Sequence, residues 1–394
     1  LRFEHMTFGT TASTAAGVKV QNTLTDVTFD YCNMYSMLGA SGNAYCCLSL
    51  NNSVTMMVSG LKVNNCVLQG GYINVHTMNC GETSSIFGDI TIDSSQLIDA
   101  VYYGIYSQYP GNIRFTIRHN EIKNHASSST YYGMKIGSIT SRTDIDTCMS
   151  NRFRCSATST NYGIQIGQTV NYYGQLTGKY AYIANNEIII TGGSSQNRGL
   201  HFENMGYIAY YANSVHIEGT GGTSYGYYMT NTSTSYVLKL KYNNFYVNNP
   251  NGIAYTVWHS AGSFAPGLVE FDYNNYYTTG QYVASNFTTL NDWITASQEV
   301  TALNERVNFI DYPNSLKTDG KRAIMPVTPE VPLDILDSVR FSYTNMGCYD
   351  DFVPSTFDAK MEEIVSPVNG IPVGVSTSVD IKIANAGYIL DSVE

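Results

Sequence analysis

Short runs in which apolar and polar residues alternate recur along most of the chain, and no long stretch keeps a helical period. Val18-Lys19-Val20, Met134-Lys135-Ile136 and Ile164-Gln165-Ile166 each place apolar residues two apart, the period of a strand with opposed faces. Two landmarks repeat at roughly thirty-residue intervals. The first is an Asn that follows a short strand-like run, at Asn33, Asn65, Asn120, Asn151, Asn186, Asn213, Asn244 and Asn275, with Ser95 filling the slot between Asn65 and Asn120. The second, out of phase with it, is a Gly followed by an apolar residue and usually preceded by an aromatic one. It occurs as Gly17-Val18, Tyr103-Gly104-Ile105, Tyr132-Gly133-Met134, Tyr162-Gly163-Ile164, Gly199-Leu200, Tyr225-Gly226-Tyr227 and Gly252-Ile253.

Two landmarks that keep one period predict an all-β solenoid, a parallel β-helix of about nine to ten coils. One coil of short strands cannot bury its own apolar face; stacked coils bury a continuous core and pair their backbones in parallel sheets. Val18, Val20, Ile164 and Ile166 are expected to point inward. Asn suits the bend between sheets because it tolerates the left-handed region and its amide can bond to the Asn of the next coil. Coil length varies at Ser127–Tyr131 and Gly192–Asn197, insertions of the kind that carry function in such folds.

The pattern changes after Asn275. Thr289-Leu290-Asn291-Asp292-Trp293 reads as a short helix with Thr289 as N-cap, closing the open end of the core and shielding its edge. The expected division is a solenoid with its closing segment over 1–320, a Pro-punctuated extended linker over 321–356, and the first strands of an Ig-like sandwich over 357–394. The last includes the alternation Val379-Asp380-Ile381-Lys382-Ile383. Leu1-Arg2-Phe3-Glu4 already reads as a strand and no signal peptide precedes it, so the sequence is expected to be a piece of a longer protein.

Composition sharpens the picture. Only 13% of the 394 residues are charged, while Tyr (33) and Gly (34) are abundant and Pro is scarce at 10, a balance that fits β structure with polar ladders. The net charge of −10 argues against a nucleic-acid partner. No run of eighteen apolar residues suggests a membrane span. Cys32, Cys46, Cys47, Cys66, Cys80, Cys148, Cys155 and Cys348 form no C-x-x-C pair, so they read as buried small apolar side chains rather than a zinc or redox site.

Candidate chemistry is sparse. The outward position beside the Gly landmark gives a stripe of Lys19, Asn74, Tyr106, Lys135, Gln165, His201 and Tyr228, one side chain per coil at about 4.8 Å. Tyr106, Gln165 and Tyr228 are candidate sugar contacts, and Lys135 and His201 candidate base or acid, though two coils, roughly 10 Å, separate that pair. Asp93 and Arg118 stand two residues before consecutive anchors and should be neighbours, as a substrate-gripping pair or an ordinary cross-coil ion pair. Asp89, Asp93 and Asp99 form the densest acidic group, a sparse candidate for calcium, with Asp144 and Asp146 a second. His119 reads as a bend residue. No Ser-His-Asp order, phosphate-binding glycine loop or H-E-x-x-H is present.

With its Asn-Asn-Phe/Tyr-Tyr anchors, the chain resembles the right-handed parallel β-helix repeats of the pectate-lyase-like superfamily. Tyr273-Asn274-Asn275-Tyr276-Tyr277 with Leu290-Asn291-Asp292-Trp293, and Met346-Gly347-Cys348-Tyr349-Asp350, resemble the closing segments of large secreted proteins of Bacteroidota. Glu362–Pro367 through Ile383–Gly387 resembles the opening of an adhesion-type Ig-like module. The resemblance implies right-handed coiling, export by the type IX route and display at or release from the cell surface. It implies a rigid structural or adhesive segment that contacts polysaccharide or cell-surface glycans and further domains of a parent chain. The alternative is a polysaccharide lyase or glycoside hydrolase working along the outward stripe with Arg118, Lys135 or His201. Fold alone does not choose between them.

Overall fold

The computed structural model describes the chain except for residues 12–15, 40, 81–87, 109–112, 138–142, 168–179, 204–206, 231–236, 260–268, 286, 353–358, 367–379 and 386–394. Leu1–Asp351 forms one compact unit and Phe352–Glu394 another.

The first unit is a parallel β-solenoid with three long faces. Sheet A runs from Arg2–Glu4 to Val269–Asp272, sheet B from Thr7–Gly9 to Asn275–Thr278 and sheet C from Val18–Val20 to Tyr282–Ala284. Each contains ten strands, every neighbouring pair within a sheet is parallel, and the chain visits A, B and C in turn on each coil. The alternation seen in the sequence fills the interior. Val63, Ile92, Ile117, Cys148 and Ile183 stack from sheet A, Leu68, Leu97, Ile122, Phe153 and Ile188 from sheet B, and Ile105, Met134, Ile164 and Leu200 from sheet C, all fully buried. Val18 and Val20, on the first coil, are half-buried against this core. The Gly landmark belongs where sheet C bends close to it: a Cβ on Gly133 would lie 2.5 Å from the Phe153 ring, and one on Gly199 2.3 Å from Val215. All eight Cys are free thiols and buried.

A polar column threads the turn between sheets A and B. Asn120, Asn151, Asn186 and Asn213 each donate backbone N–H and side-chain Nδ2 to the Oδ1 of the next Asn along, at 2.9–3.1 Å. Each Nδ2 also donates to a carbonyl of the preceding coil, such as that of Ile92 or Ile117. Toward the ends the register differs from the sequence expectation. The column continues through Asn243 and Asn274, not Asn244 and Asn275, and begins through Cys32, Cys66 and Ser95, not Asn33 and Asn65.

The reason is a division of labour. The left-handed residue is the one before the ladder residue: Tyr31, Asn65, Ser94, His119, Ser150, Asn185, Ala212, Tyr242 and Tyr273 all have φ between 49° and 66°. Asn65 therefore makes the bend, whereas Asn33, Asn244 and Asn275 fall one residue later, in register with Val67 and Glu121 on sheet B. Asn244 and Asn275 bond to each other at 3.0 Å, a separate buried pair.

The column ends on an acid. Glu299, 1% exposed, accepts from Asn274 N and Nδ2 at 2.9 and 2.8 Å through one oxygen and from the Tyr276 hydroxyl at 2.6 Å through the other. The helix α1 (Leu290–Ser297) precedes it, N-capped by Thr289, and its Trp293 is fully buried against Phe271, Tyr276 and Phe287 at the end of the core.

The stretch read as an extended linker is instead part of the solenoid unit through Asp351. Residues 299–351 run back as a strap along the A/B corner and the outer face of sheet B. Leu303 adds a parallel rung beside Asn275, the Leu316 amide donates to buried Glu187, and the Cys348 amide donates to Ser214. Gly347 has φ +99°, and a Cβ there would lie 2.3 Å from Ser214 Oγ, so no larger residue fits. Arg340, 4% exposed, gathers the strap. It donates to the carbonyls of Leu333, Asn345 and Gly347, to Thr344 Oγ1 and to Asn185 Oδ1 on the solenoid, at 2.8–3.2 Å. Pro residues at 326, 329 and 332 punctuate this irregular backbone without freeing it from the solenoid. In the second unit, Ala359–Ser366 pairs antiparallel with Asp380–Asn385, a small separate sheet.

Two outcomes follow. Burial raises the Glu299 carboxyl to about 7, against the donors that favour its charged form. A folded value above the unfolded one gives stability that is complete below about pH 4.5 and lost as pH rises through 7, on the order of 3 kcal/mol. Glu299→Gln should therefore raise the melting temperature at pH 8 and change it little at pH 5; equal destabilisation at both would contradict this. Arg340→Ala removes a donor from five acceptors, of which the Leu333 carbonyl keeps Asn185 Nδ2 and Thr344 Oγ1 keeps Asp350, and each acceptor left buried without a partner costs about 1–3 kcal/mol. It should open residues 321–351 to limited proteolysis before the solenoid melts, whereas an unchanged digestion pattern would count against the strap.

Candidate functional site

The outer face of sheet C collects most of the chemistry. Strand register lines up Lys19, Ser49, His76, Tyr106, Lys135, Gln165, His201, Tyr228 and Trp258, one per coil. Asn74, expected in this stripe, is two residues out of line; it is buried and its Nδ2 donates to the carbonyls of Leu68, Gly70 and Ile98. His76 holds the place instead, stacked on Tyr106 with ring centroids 5.4 Å apart.

A second column runs beside the first, through Tyr103, Tyr132, Tyr162, Arg198, Tyr225, Tyr255 and Tyr282. Its rings stack along the sheet, Tyr103 on Tyr132 at 5.0 Å and Tyr132 on Tyr162 at 4.4 Å. Arg198 interrupts it. The guanidinium lies 3.7 Å from the Tyr228 ring centroid and 5.1 Å from that of Tyr162, in cation–π geometry.

At the crossing of the columns sits a polar cluster. The Arg198 Nη1 is 3.1–3.2 Å from the His201 ring nitrogens, and His201 Nε2 is 3.0 Å from Glu203 Oε1. Lys135, two coils away with Gln165 between, has its Nζ 4.9 Å from the Tyr132 ring centroid. Burial lowers the His201 imidazole to about 4, more than the Glu203 carboxylate raises it. Burial also lowers the Lys135 ammonium, opposed by Glu203. Glu203 is pushed up by burial, but its hydrogen bond to His201 and the charges of Lys135 and Arg198 bring it below the ordinary range. A neutral His201 thus donates to an ionised Glu203, with the Arg198 guanidinium lying against the rings. Gln165 Oε1, His76 Nδ1 and Nε2, and Arg198 Nε are buried without a hydrogen-bond partner among the described residues.

The other candidates are distributed differently. Arg118 is on sheet A, away from Lys135 and His201 on sheet C, and its Nε donates to Asp93 at 2.8 Å. Asp93 also meets His119 Nδ1 at 3.2 Å, and His119 Nε2 meets Asp337 of the strap at 3.3 Å, so this group ties the strap to the A/B bend. Asp89 faces Arg114 at 3.6 Å, and Asp99 accepts from Gln69. Among the described residues no three His, Cys, Asp or Glu side chains gather as metal ligands. The side chains of Asp144 and Asp146 lie outside the described residues. The insertions at Ser127–Tyr131 and Gly192–Asn197 lead into sheet C, where Asn161 and Asn197 form a second short ladder that continues to Ser224.

Sequence reasoning missed Arg198, Glu203, His76 and Trp258 as site residues. One signal for Arg198 was present: it occupies the position before Gly199 that Tyr fills before Gly104, Gly133, Gly163 and Gly226. The fold and this face define a class, a parallel β-solenoid with an aromatic and cationic lateral surface. Compared with family models, curated proteins and solved structures, the chain matches none. No described helix is long and apolar enough to cross a membrane.

The depressed His201 value has a consequence. A folded value below the unfolded one gives stability present above about pH 6.5 and lost as pH falls toward 4. The His201 imidazole should report as neutral by nitrogen chemical shift down to about pH 5. Protonation near pH 6.5 would mean that this ring is solvated and the cluster open.

Proposed function

We propose that the chain is a glycan-binding solenoid, a rigid adhesive segment of a secreted or cell-surface protein, and that the outer face of sheet C is its binding surface. The observation that carries this reading is the pair of adjacent columns of stacked rings centred on Arg198, with Lys135 nearby. Rings stacked on one another about 4.8 Å apart along the sheet present their edges and hydroxyls as a repeated lane for sugar rings. Arg198 and Lys135 add charge for uronate or sulfate groups, and Arg198 is already held flat by Tyr228. Acidic polysaccharide is therefore the favoured class of ligand. In this reading the coils are right-handed, as crossover connections between parallel strands nearly always are, and of the pectate-lyase-like kind. The protein comes from a Bacteroidota member using type IX export, and the second unit opens an Ig-like module.

One observation favours a second reading, a polysaccharide lyase: burial holds Lys135 below the ordinary lysine range, the direction a general base requires, on the same face as Arg198. The hydrolase version has less support, because Glu203 is the one carboxylate described in the cluster and glycoside hydrolysis ordinarily uses two.

Isothermal titration with polygalacturonate and with a neutral β-glucan tests both readings. Binding to the acidic polymer is expected, weakened at least tenfold, about 1.4 kcal/mol, by Arg198→Gln or Tyr228→Ala. Wild-type affinity in both variants would remove the proposed surface. Absorbance growing at 235 nm and lost in Lys135→Ala would move the assignment from binding to lyase.

A further inference from the structure

A second charged site lies on a different face, between the outer surface of sheet B and the strap. It is a cleft of about 670 Å³ lined by Lys123, Arg152 and Arg154 from the sheet and Lys317 and Tyr349 from the strap, with Glu121 and Asp311 at its margins. Four cations thus face two carboxylates in a chain whose net charge is −10.

The register makes the arrangement unusual. Lys123 and Arg154 are direct partners on neighbouring parallel strands, where like charges repel. Arg154 is tied down: it pairs with buried Glu187 and donates to the Asn314 carbonyl of the strap at 2.6 Å. Glu187 is fully buried, also accepts the Leu316 amide, and is the cross-strand neighbour of Arg152 as well as the partner of Arg154. The Arg152 side chain meets Tyr349. Lys123 has only a 3.8 Å contact to Glu121, both around 42–43% exposed. The guanidinium groups of Arg152 and Arg154, the ammonium groups of Lys123 and Lys317 and the Tyr349 and Pro313 rings among the lining suit one compact molecule carrying an oxyanion. The volume is in the range of small-ligand pockets.

We propose that this cleft binds an anionic monosaccharide or disaccharide unit, its sulfate, phosphate or carboxylate held by Lys123, Arg152 and Lys317. The strap completes the site by supplying Lys317 and Tyr349. The proposal is independent of the sheet C reading, since no residue is shared.

Calorimetry on the full chain would compare glucose 6-sulfate, glucose 6-phosphate and glucuronate with inorganic sulfate and plain glucose. At least one charged sugar should bind tenfold or more tighter than either control, more weakly as salt rises, and the preferred one identifies the oxyanion. The Lys123→Gln/Lys317→Gln double variant should lose at least tenfold in affinity at unchanged melting temperature. Glu121→Gln, which frees Lys123, should bind tighter. Wild-type affinity in the double variant, or sulfate or glucose binding as well as every charged sugar, would overturn the assignment.

Discussion

A buried amide with no water within reach must find its partner on the next coil, and the solenoid is arranged around that demand. Asn120, Asn151, Asn186, Asn213, Asn243 and Asn274 each use Oδ1 to accept from the ladder residue of the preceding coil and Nδ2 to reach a carbonyl of that same coil. An orphaned member would leave polar atoms unsatisfied in the interior, at about 1–3 kcal/mol each. The ladder therefore fixes register coil by coil, and register is what aligns Lys135, Gln165 and His201 into one column on sheet C. A slip of one residue would send that column into the core. At the start of the chain Cys32 and Cys66 replace the amides with weaker sulfur contacts, and at the far end Glu299 replaces them with a carboxyl.

Much of this was legible in the sequence, for a physical reason. Stacking makes every coil repeat the same inward apolar positions, the same close glycine and the same bend, so periodicity exposes all three. What periodicity leaves ambiguous is a shift of one. In the doublets Asn185-Asn186, Asn243-Asn244 and Asn274-Asn275 either residue can hold the ladder, and only the backbone decides: the one preceded by a left-handed residue takes it. Asn186 was chosen correctly and Asn244 and Asn275 were not. His76 and Asn74 show the same difficulty on sheet C, two residues apart with opposite destinies, one in the outward column and one tied to carbonyls inside.

The strap was illegible because it repeats nothing. Its place is fixed by contacts far apart in sequence, Arg340 to Asn185 and Cys348 to Ser214, and a Pro-rich stretch without period looks like a linker until those partners are known. Within Met346-Gly347-Cys348-Tyr349, Gly347 takes φ +99° where the strap passes Ser214, a conformation that favours glycine.

The strap also explains why the two charged faces differ. On sheet B it runs beside the outward side chains and makes Lys123, Arg152 and Arg154 one wall of an open cleft of small-molecule size. On sheet C the described face runs the length of the stack with Tyr, Trp and His in two columns, a geometry that extends with each coil and suits a chain. Both use cations drawn from a scarce supply, 21 Lys and Arg in 394 residues. Arg198 and Arg154 are each held by other groups before any ligand arrives, one by aromatic rings and the other by Glu187. Little side-chain freedom is then left to lose on binding, which is the condition under which a few charges on an acidic protein can still select an acidic ligand.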